Sequence, residues 1–406
     1  MLLYIVAMGL IKNFSELAKT PQRRIVLDLI EEGLSSVQPE NVLSSKISLQ
    51  GSILKIQDSQ LNLEDFERIF LIGFGKGSSH ISRHLETLLG DKLTEGFVID
   101  ITDESFSKIN YMKGTHPLPS QANLDFTKTV VNKFENGASN KDLILVVIAG
   151  GGSALFELPK NLSLNELVKK TDELIKSGMT ITQMNDERKK LSRVKGGGLA
   201  KILYPARVVS LIFSDVPGND LSVIASGPTE RGINESEEKY FDNVSNILML
   251  SNRTALSAME KKAQELGIPL KIYSDKFQGD ARGAGEILIG ACPPGSIVLS
   301  GGETTVHITG SGVGGRNMEV VLNSLSNIGK NTIISSFASD GWDNSEAAGA
   351  IGDIQTLEEA KKQNLSIEQY LKDNNSLEFF QKTGDAIITD RLPSNVSDLI
   401  VIYKHD

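Results

Sequence analysis

Apolar runs that end in glycine or acidic residues, most of them followed by a helical pattern, organise this chain. The run DLILVVIA at 142–149 is apolar at nearly every position, which is typical of a strand buried on both faces of a parallel sheet. Comparable runs lie at 68–72, 207–213, 297–300 and 332–338. Between the runs, apolar residues recur at helical spacing, as they do at 164–175. Strands that alternate with helices predict an α/β fold with mostly parallel sheets.

The loops that follow these runs are rich in glycine or in acids. They lie at 73–79, 150–153, 214–229, 300–316 and 339–349. In open α/β sheets, ligands bind outside the carboxyl ends of the strands. We therefore expect these loops to line one ligand-binding cleft.

The stretch 299–319 is the richest of these loops and contains six glycines. A predicted turn at Gly301 and Gly302 precedes Glu303, and Arg316 opens a predicted helix. A helix N-terminus binds anions through its free N–H groups and its positive dipole end, and arginine adds a bidentate donor. The stretch therefore indicates a phosphate or carboxylate site. The alternative is a glycine-rich surface hairpin with a solvated Arg316.

Gly75 and Lys76 stand in a second loop, GFGKGSS, at the start of another predicted helix. This loop is neither a Walker A motif nor a complete G-x-G-x-x-G fingerprint, because Ser78 occupies the last glycine position. The functional interpretation makes Lys76 an ammonium donor to a phosphate or a carboxylate. The alternative is a solvated lysine.

Acidic residues follow two of the buried runs. Asp215 comes after 207–213, and Asp340 and Asp343 come after 332–338. Carboxylates in such loops hold Mg²⁺ or act as general bases. Alternatively, they cap a helix or a turn, which aspartate favours.

A cluster of basic residues lies between Asn185 and Lys195 in an otherwise acidic chain. Arg188 and Lys195 would suit the anionic groups of a ligand, and a solvated helix face is the alternative. His116 lies before a proline. Its side chain is equally compatible with a structural hydrogen bond and with a contact to a ligand.

Composition excludes several classes of protein. Apolar residues make up 40% and charged residues 23% of the chain, and the net charge is −9, so nucleic-acid and membrane partners are not expected. The single cysteine rules out an intrachain disulfide and fits a cytoplasmic protein. The apolar stretch 1–11 is too short to cross a bilayer, and Met1 and Met8 are both open as the start residue.

A chain of 406 residues usually forms more than one domain. The composition becomes strongly charged at 230–246, so we expect an N-terminal domain at 1–235 and a C-terminal domain at 236–406. Exchange of segments between the two domains is left open. Cationic donors and carboxylates around a cleft that binds anions favour phosphoryl transfer. This reaction needs positioning and charge neutralisation more than it needs a nucleophile.

The same stretches resemble the class II glycerate 2-kinase family, whose C-terminal part is called the MOFRL domain. The resemblance extends from about residue 69 to the C-terminus. It is carried by the blocks GFGKGSS, GTHPLPS, LVVIAGGGSALFELP, ITQMNDERKKLSRVKGGGLA, IFSDVPGNDLSVIASGPT, LSGGETTVHITGSGVGGRNME and SDGWDNSEAAGA.

This resemblance implies a Rossmann-like, three-layer N-terminal domain with a mostly parallel sheet. It also implies a smaller α/β C-terminal domain and an active site in the cleft between the two. The implied activity is the ATP- and Mg²⁺-dependent conversion of D-glycerate to 2-phosphoglycerate. The functional lysine and arginine of the family fall on Lys76 and Arg316.

From the residues and the resemblance together, we expect Lys76, Arg316 and Asp215 to act in catalysis, and Asp215 and Glu303 to hold Mg²⁺. The residues expected to bind D-glycerate or ATP are Gly75, Gly151, Gly152, Ser153, Asn185, Lys195, Gly301, Gly302, Glu303, Asn317 and Asp340. Two other functions stay open, an NAD(P)H-dependent hydroxypyruvate reductase and a non-catalytic sugar-phosphate-binding module. Both a monomer and a homodimer are compatible with the sequence.

Overall fold

A computed structural model of the protein describes residues 9–177, 179, 181–216, 218–232 and 238–406. The chain divides into two compact units. Pro39–Leu250 form one unit, which we call the parallel-sheet unit. The mixed-sheet unit combines the N-terminal segment that ends at Gln38 with Ser251–Asp406. Both candidate start residues, Met1 and Met8, lie outside the described residues.

Helices are found throughout both units. In chain order, the α-helices are α1 (Phe14–Leu17), α2 (Pro21–Ser36), α3 (Pro39–Lys46), α4 (Ser78–Leu89), α5 (Gln121–Phe134), α6 (Gly152–Leu155), α7 (Leu164–Lys176), α8 (Ile181–Leu191), α9 (Gly198–Leu203), α10 (Asn252–Glu265), α11 (Ala281–Ala291), α12 (Arg316–Ser324), α13 (Ile354–Lys362), α14 (Ile367–Lys372) and α15 (Ser376–Thr383). Short 3-10 helices lie at Leu63–Asp65, Gly90–Lys92, Ile224–Ser226, Glu238–Tyr240 and Leu325–Asn327. Within the described ranges, no helix combines the length and the apolar composition that a membrane span requires.

The strands build three sheets. In chain order they are β1 (Ile47–Gln50), β2 (Ile53–Ile56), β3 (Ser59–Asn62), β4 (Arg68–Phe74), β5 (Glu95–Asp100), β6 (Ile109–Lys113), β7 (Asp142–Ile148), β8 (Arg207–Phe213), β9 (Val244–Leu250), β10 (Leu270–Asp280), β11 (Ser296–Thr305), β12 (Thr332–Ala338), β13 (Gly349–Gly352), β14 (Ala386–Ile387) and β15 (Asp398–Lys404).

The parallel-sheet unit is built on a six-stranded sheet of order β6-β5-β4-β7-β8-β9, in which every neighbouring pair is parallel. Counted from β4, this is the 3-2-1-4-5-6 order of Rossmann domains, whose strand order reverses between the first and fourth strands. Here that switch point lies between β4 and β7. The prediction of a Rossmann-like α/β domain is confirmed.

Phenylalanines fill much of the core of this unit. The ring of Phe74 stacks on Phe156 with centroids 4.3 Å apart, and Phe70 meets Phe134 edge to face at 5.1 Å. Because every residue of β7 is buried, the apolar run in the sequence reports burial on both faces of the strand. A separate three-stranded antiparallel sheet, β1-β2-β3, belongs to the same unit.

The mixed-sheet unit contains a sheet of order β10-β11-β15-β12-β13-β14. The β10–β11 pair is parallel, and the other pairs are antiparallel. The last strand of the chain, β15, lies between β11 and β12, so the C-terminus is part of the core. Val298, Ile334 and Ile402 pack there with Val321 of α12.

These units do not coincide with the expected segments 1–235 and 236–406. Strand β9, which begins inside the stretch expected to hold the boundary, pairs with β8 and completes the parallel sheet. Helix α2 packs against α10 within the mixed-sheet unit, where a Cβ on Gly33 would lie 2.9 Å from Met259 Sδ. The N-terminal segment therefore belongs structurally with the C-terminal half of the chain.

Candidate active site

Two loops lie side by side at the switch point of the parallel-sheet unit, one after β4 and one after β7. The backbone N–H of Lys76 donates to the carbonyl oxygen of Gly150 across a distance of 2.8 Å. Gly75 has φ +114°, and a Cβ on it would lie 2.4 Å from the Ala149 carbonyl oxygen. Only glycine fits this crossing, which is the reason for the glycine beside the lysine.

We expect Gly75→Ala to disrupt this crossing and lower activity. The added Cβ would force the two loops apart, and the φ angle is strained for any residue with a side chain. Catalytic efficiency should fall by about tenfold or more, since strain of this kind costs on the order of 1–3 kcal/mol. Gly290→Ala in α11 is the matched control, because its added Cβ meets open space and its kcat/KM should not change.

Lys76 and His116 flank Gly151 in the second loop. A Cβ on Gly151 would lie 2.8 Å from His116 Cδ2 and 3.4 Å from Lys76 Cε, so the glycine lets both side chains approach the backbone. The side chain of Lys76 is exposed. Burial and the charge of Lys76 lower the pKa of His116. This leaves a neutral imidazole beside a lysine ammonium at neutral pH.

Asp215 approaches the same loops from the end of β8. Its Oδ2 lies 2.3 Å from the position that a Cβ on Gly150 would occupy, so the carboxyl group packs directly on the backbone of that loop. Burial raises the pKa of Asp215, and the nearby charge of Lys76 opposes that rise. The structure thus brings Lys76 and Asp215, which the sequence singled out separately, to one place.

Ser153 and Asn185 meet through a residue that the sequence did not single out, Ser226. The hydroxyl groups of Ser153 and Ser226 are 2.8 Å apart, and Ser226 Oγ donates to Asn185 Oδ1 at 3.4 Å. Ser226 follows Ala225 in the left-handed region, with φ values of 62° and 49°. Consecutive non-glycine residues in this region store strain, which is typical of functional sites.

Lys195 does not present a free ammonium to this site, because it forms a buried ion pair with Glu157. Burial lowers the pKa of Lys195, and the charge of Glu157 opposes that change. Glu157 lies in the block LFELP, and nothing in its local sequence marked it as a partner. The contact that we expect between Lys195 and a ligand stays a prediction. The charge of Lys195 is already balanced by Glu157.

In the mixed-sheet unit, Arg316 is held by two carboxylates. Its Nη2 donates to Glu303 at 2.8 Å, and its Nε donates to Asp398 at 2.5 Å. Burial by itself would lower the pKa of Arg316. The hydrogen bond and the charge of Asp398 nevertheless raise that pKa above its ordinary value. Burial also raises the pKa of Asp398 to about 6. Nothing in the sequence pattern marked Asp398 as this partner, because it is 82 residues from Arg316 along the chain.

The expected phosphate site at the start of α12 is occupied by the protein itself. The carboxylate of Asp343 accepts hydrogen bonds from the backbone N–H groups of Asn317 at 3.1 Å and Met318 at 2.8 Å. The side chain of Asn317 is buried between Asp343 and Ser336. Asp343 is therefore the helix cap that the sequence left as one alternative, and it takes the place expected for a ligand anion.

The other residues of this unit that we expected to bind a ligand belong to a strand or bond to neighbouring parts of the protein. Gly301 and Gly302 lie inside β11, which continues to Thr305, so the expected turn at these glycines is wrong. Asp340 accepts a hydrogen bond from the backbone N–H of Trp342 and from Asn395. A cavity of about 580 Å³ in this unit is lined by Arg316, Trp342 and Asp343, among other residues.

We expect Asp343→Asn to remove a pH dependence of stability. Burial raises the pKa of Asp343 to about 7 from an ordinary value of 3.8. Between these values the folded protein holds a proton that the unfolded chain has released, so stability falls as pH rises through this window. Wild type should lose about 2–3 kcal/mol of unfolding free energy between pH 5 and pH 8 through this group. In urea unfolding, Asp343→Asn should lose less, and an equal loss in both proteins would contradict the assignment.

Family models match most of the chain. A domain of unknown function, DUF4147, matches residues 25–256, and the MOFRL family matches residues 296–398. A "Glycerate 2-kinase" from Picrophilus torridus is 32% identical, over 97% of this chain and 99% of its own length. A "Putative hydroxypyruvate reductase" from Agrobacterium vitis is 30% identical, over 82% of this chain and 99% of its own length.

Solved structures agree with the family models. The crystal structure of a glycerate kinase from Thermotoga maritima superimposes with a TM-score of 0.82 and 28% identity, covering 94% of this chain and 99% of that one. The resemblance found from the motifs is therefore confirmed over both units. From its family models, its full-length relatives and its fold, this chain belongs to the class II glycerate kinase family.

Proposed function

We propose that this protein transfers the γ-phosphoryl group of ATP to the 2-hydroxyl of D-glycerate, giving 2-phosphoglycerate and ADP. The observation that carries the proposal is the cluster of Lys76, Asp215 and two glycine loops at the switch point of the parallel sheet. It is supported by relatives named glycerate 2-kinase that match nearly the whole chain.

Phosphoryl transfer depends mainly on positioning and on neutralising negative charge. The backbone N–H groups of Gly151 and Ser153 and the exposed ammonium of Lys76 provide donors for phosphate oxygens, whereas the N–H of Gly152 already donates to the carbonyl oxygen of Ala149. The 2-hydroxyl oxygen forms the new bond to phosphorus while the bond to the ADP oxygen breaks. Asp215 accepts the hydroxyl proton, and its raised pKa suits a general base.

Arg316 is proposed to hold the carboxylate of D-glycerate. The guanidinium carries N–H donors on Nε, Nη1 and Nη2. The bonds to Glu303 and Asp398 use Nε and Nη2, so Nη1 is the donor that we assign to the substrate. The two carboxylates fix the plane of the guanidinium and thereby orient that donor.

A divalent cation is proposed to accompany ATP. Among the described residues, no group of three or more His, Cys, Asp or Glu side chains is placed to hold a metal ion. Mg²⁺ does not require such a group, because it is usually bound through one or two carboxylates together with substrate phosphates. Asp215 or Glu303 would supply the oxygen donors that it prefers, and the bound ion would neutralise charge on the phosphates.

Product formation from D-glycerate, ATP and Mg²⁺ tests the proposal. Enolase acts directly on 2-phosphoglycerate, so we expect a signal when enolase is the first coupling enzyme. A signal that requires phosphoglycerate mutase would move the phosphate to the 3-hydroxyl. Consumption of NADH on hydroxypyruvate without any phosphorylated product would overturn the kinase proposal in favour of the reductase.

A further inference from the structure

The cavity that Arg316, Trp342 and Asp343 line is much larger than D-glycerate, whose carboxylate Arg316 is proposed to hold. Its volume is about 580 Å³. D-glycerate has only seven non-hydrogen atoms, which would fill roughly 200 Å³ even if each took up the volume of a water molecule in the liquid. A substrate held by Arg316 therefore has room to extend beyond the third carbon of D-glycerate.

The protein itself holds the walls of this cavity in place. Loop 306–315 forms one wall, and the buried side chain of Asn374 fixes it. The Oδ1 of Asn374 accepts hydrogen bonds from the backbone N–H groups of Thr309 at 2.7 Å and Gly310 at 2.9 Å. Its Nδ2 donates to the buried carboxylate of Glu319 at 3.2 Å. The cavity is therefore preformed, as ligand sites usually are.

Two exposed polar side chains of the wall, Thr305 and Asn344, provide hydrogen-bond acceptors. The hydroxyl group of Thr305 donates to the carbonyl oxygen of Gly279 at 3.2 Å. The Nδ2 of Asn344 donates to the carbonyl oxygen of Gly314 at 3.2 Å. These bonds fix both side chains and leave the lone pairs of the Thr305 hydroxyl and the Oδ1 of Asn344 for a donor. The wall therefore suits a ligand with O–H groups.

The indole ring of Trp342 adds an apolar surface to the same cavity. The side chain is 38% exposed, and the guanidinium carbon of Arg391 lies 4.0 Å from the ring centroid. This cation–π contact holds the ring in place. The face of an aromatic ring packs well against C–H groups. A carbon chain that carries hydroxyl groups would meet both the ring and the acceptors, whereas D-glycerate has only one carbon beyond the one that reacts.

We propose that this cavity lets the protein phosphorylate longer 2-hydroxy acids that carry further hydroxyl groups, in addition to D-glycerate. Arg316 holds the carboxylate, and Trp342 packs against the C–H groups of the additional carbons. Thr305 and Asn344 accept hydrogen bonds from the additional hydroxyl groups. The 2-hydroxyl oxygen forms the bond to the γ-phosphorus of ATP, the bond to the ADP oxygen breaks, and the hydroxyl proton passes to Asp215. The proposal rests on the proposed kinase function, to which it adds a class of acceptor.

D-gluconate tests this assignment, because it is a longer acid with the same configuration as D-glycerate at the carbon that carries the 2-hydroxyl. With ADP formation as the readout, wild type should use D-gluconate with a kcat/KM within about tenfold of that for D-glycerate. Trp342→Ala should lower kcat/KM for D-gluconate by about tenfold or more relative to the value for D-glycerate, since contacts to a few carbons discriminate by such factors. Trp342→Phe keeps a ring and should give a smaller change of the same kind. Ile287→Ala is the control and should change neither value, since Ile287 is 50% exposed in the same unit and is not part of the wall.

Direct binding of D-gluconate, measured by calorimetry, separates this proposal from the kinase proposal. Wild type should bind D-gluconate, and Trp342→Ala should bind it more weakly, whether or not the protein phosphorylates any acid. Phosphorylation of D-glycerate without binding of D-gluconate would overturn the wider acceptor range and leave the kinase proposal intact. An equal loss of activity toward both acids in Trp342→Ala, or a rise in the KM for ATP alone, would also overturn the assignment, because the ring would then not contact the additional carbons.

Discussion

Replacing Lys76 by alanine is expected to lower kcat by about 10²–10³-fold, the cost typical of removing one charged or hydrogen-bonding group that stabilises a transition state. The ammonium lies between the glycine loops and near Asp215, where phosphate charge is proposed to develop. Its side chain is exposed, so its removal should not lower the free energy of unfolding. Retention of activity within about fivefold would exclude Lys76 as a catalytic group.

Two comparisons sharpen this experiment. Lys92→Ala removes another exposed lysine of the same unit, at the end of the 3-10 helix Gly90–Lys92, and should leave kcat unchanged. NMR titration of His116 gives a readout that is independent of turnover. Because the charge of Lys76 helps to lower the pKa of His116, that pKa should be higher in Lys76→Ala than in wild type.

Replacing Arg23 by methionine is expected to lower the free energy of unfolding of the mixed-sheet unit by about 3–5 kcal/mol. Arg23 is fully buried. Its Nε and Nη2 each donate to Asp353 at 2.7 Å, and its Nη1 donates to Asp385 at 2.6 Å. These two ion pairs connect α2 to Asp353, the N-cap of α13, and to Asp385, the residue before β14. Losing the arginine removes the cation that pairs with buried Asp353, while Asp385 keeps its ion pair with Lys19.

Urea unfolding at pH 7 measures this effect. Burial by itself would raise the pKa of Asp353. The hydrogen bonds and the charge of Arg23 nevertheless hold that pKa below its ordinary value. Stability from this group is therefore present above about pH 4 and is lost as pH falls below that, so neutral pH reports its full contribution.

The neighbouring arginine provides the control for Arg23. Arg24 is exposed, and Arg24→Ala should change the free energy of unfolding by less than about 0.5 kcal/mol. The double variant Arg23→Met, Asp353→Asn should be more stable than Arg23→Met alone, because it removes the buried carboxylate that has lost its cation. Equal stability of Arg23→Met and Arg24→Ala would contradict the anchoring role of the buried pair.

The glycine loop with Lys76 could be predicted from the sequence because all its determinants are local. A buried strand, a glycine at φ +114° and a following helix occupy one short stretch, and each leaves a mark in the residue pattern. The same holds for β7, whose apolar run reflects burial on both faces. The family resemblance rests on these local blocks as well.

Partners of charged residues could not be predicted in this way. The sequence pattern predicts that Arg316 is a free cation, but in the fold it forms ion pairs with Glu303 and Asp398. The start of α12 reads as an open anion site, yet Asp343 fills it from a loop 26 residues away. A carboxylate that caps a helix and one that binds a metal look alike in a sequence, since only the neighbouring atoms distinguish them.

The sequence by itself determined the α/β class, the family and the strand–loop–helix at Lys76, because short-range pattern and residue type are sufficient for these. The tertiary structure alone decided the strand order β6-β5-β4-β7-β8-β9 and the placement of α2 with the C-terminal half. It also decided which carboxylate faces which cation. The pattern of an amphipathic helix predicts that one face is buried, but it does not predict which element covers that face. In the same way, a buried charge requires a partner, but the local sequence does not identify that partner. Those choices depend on contacts between residues far apart in the chain.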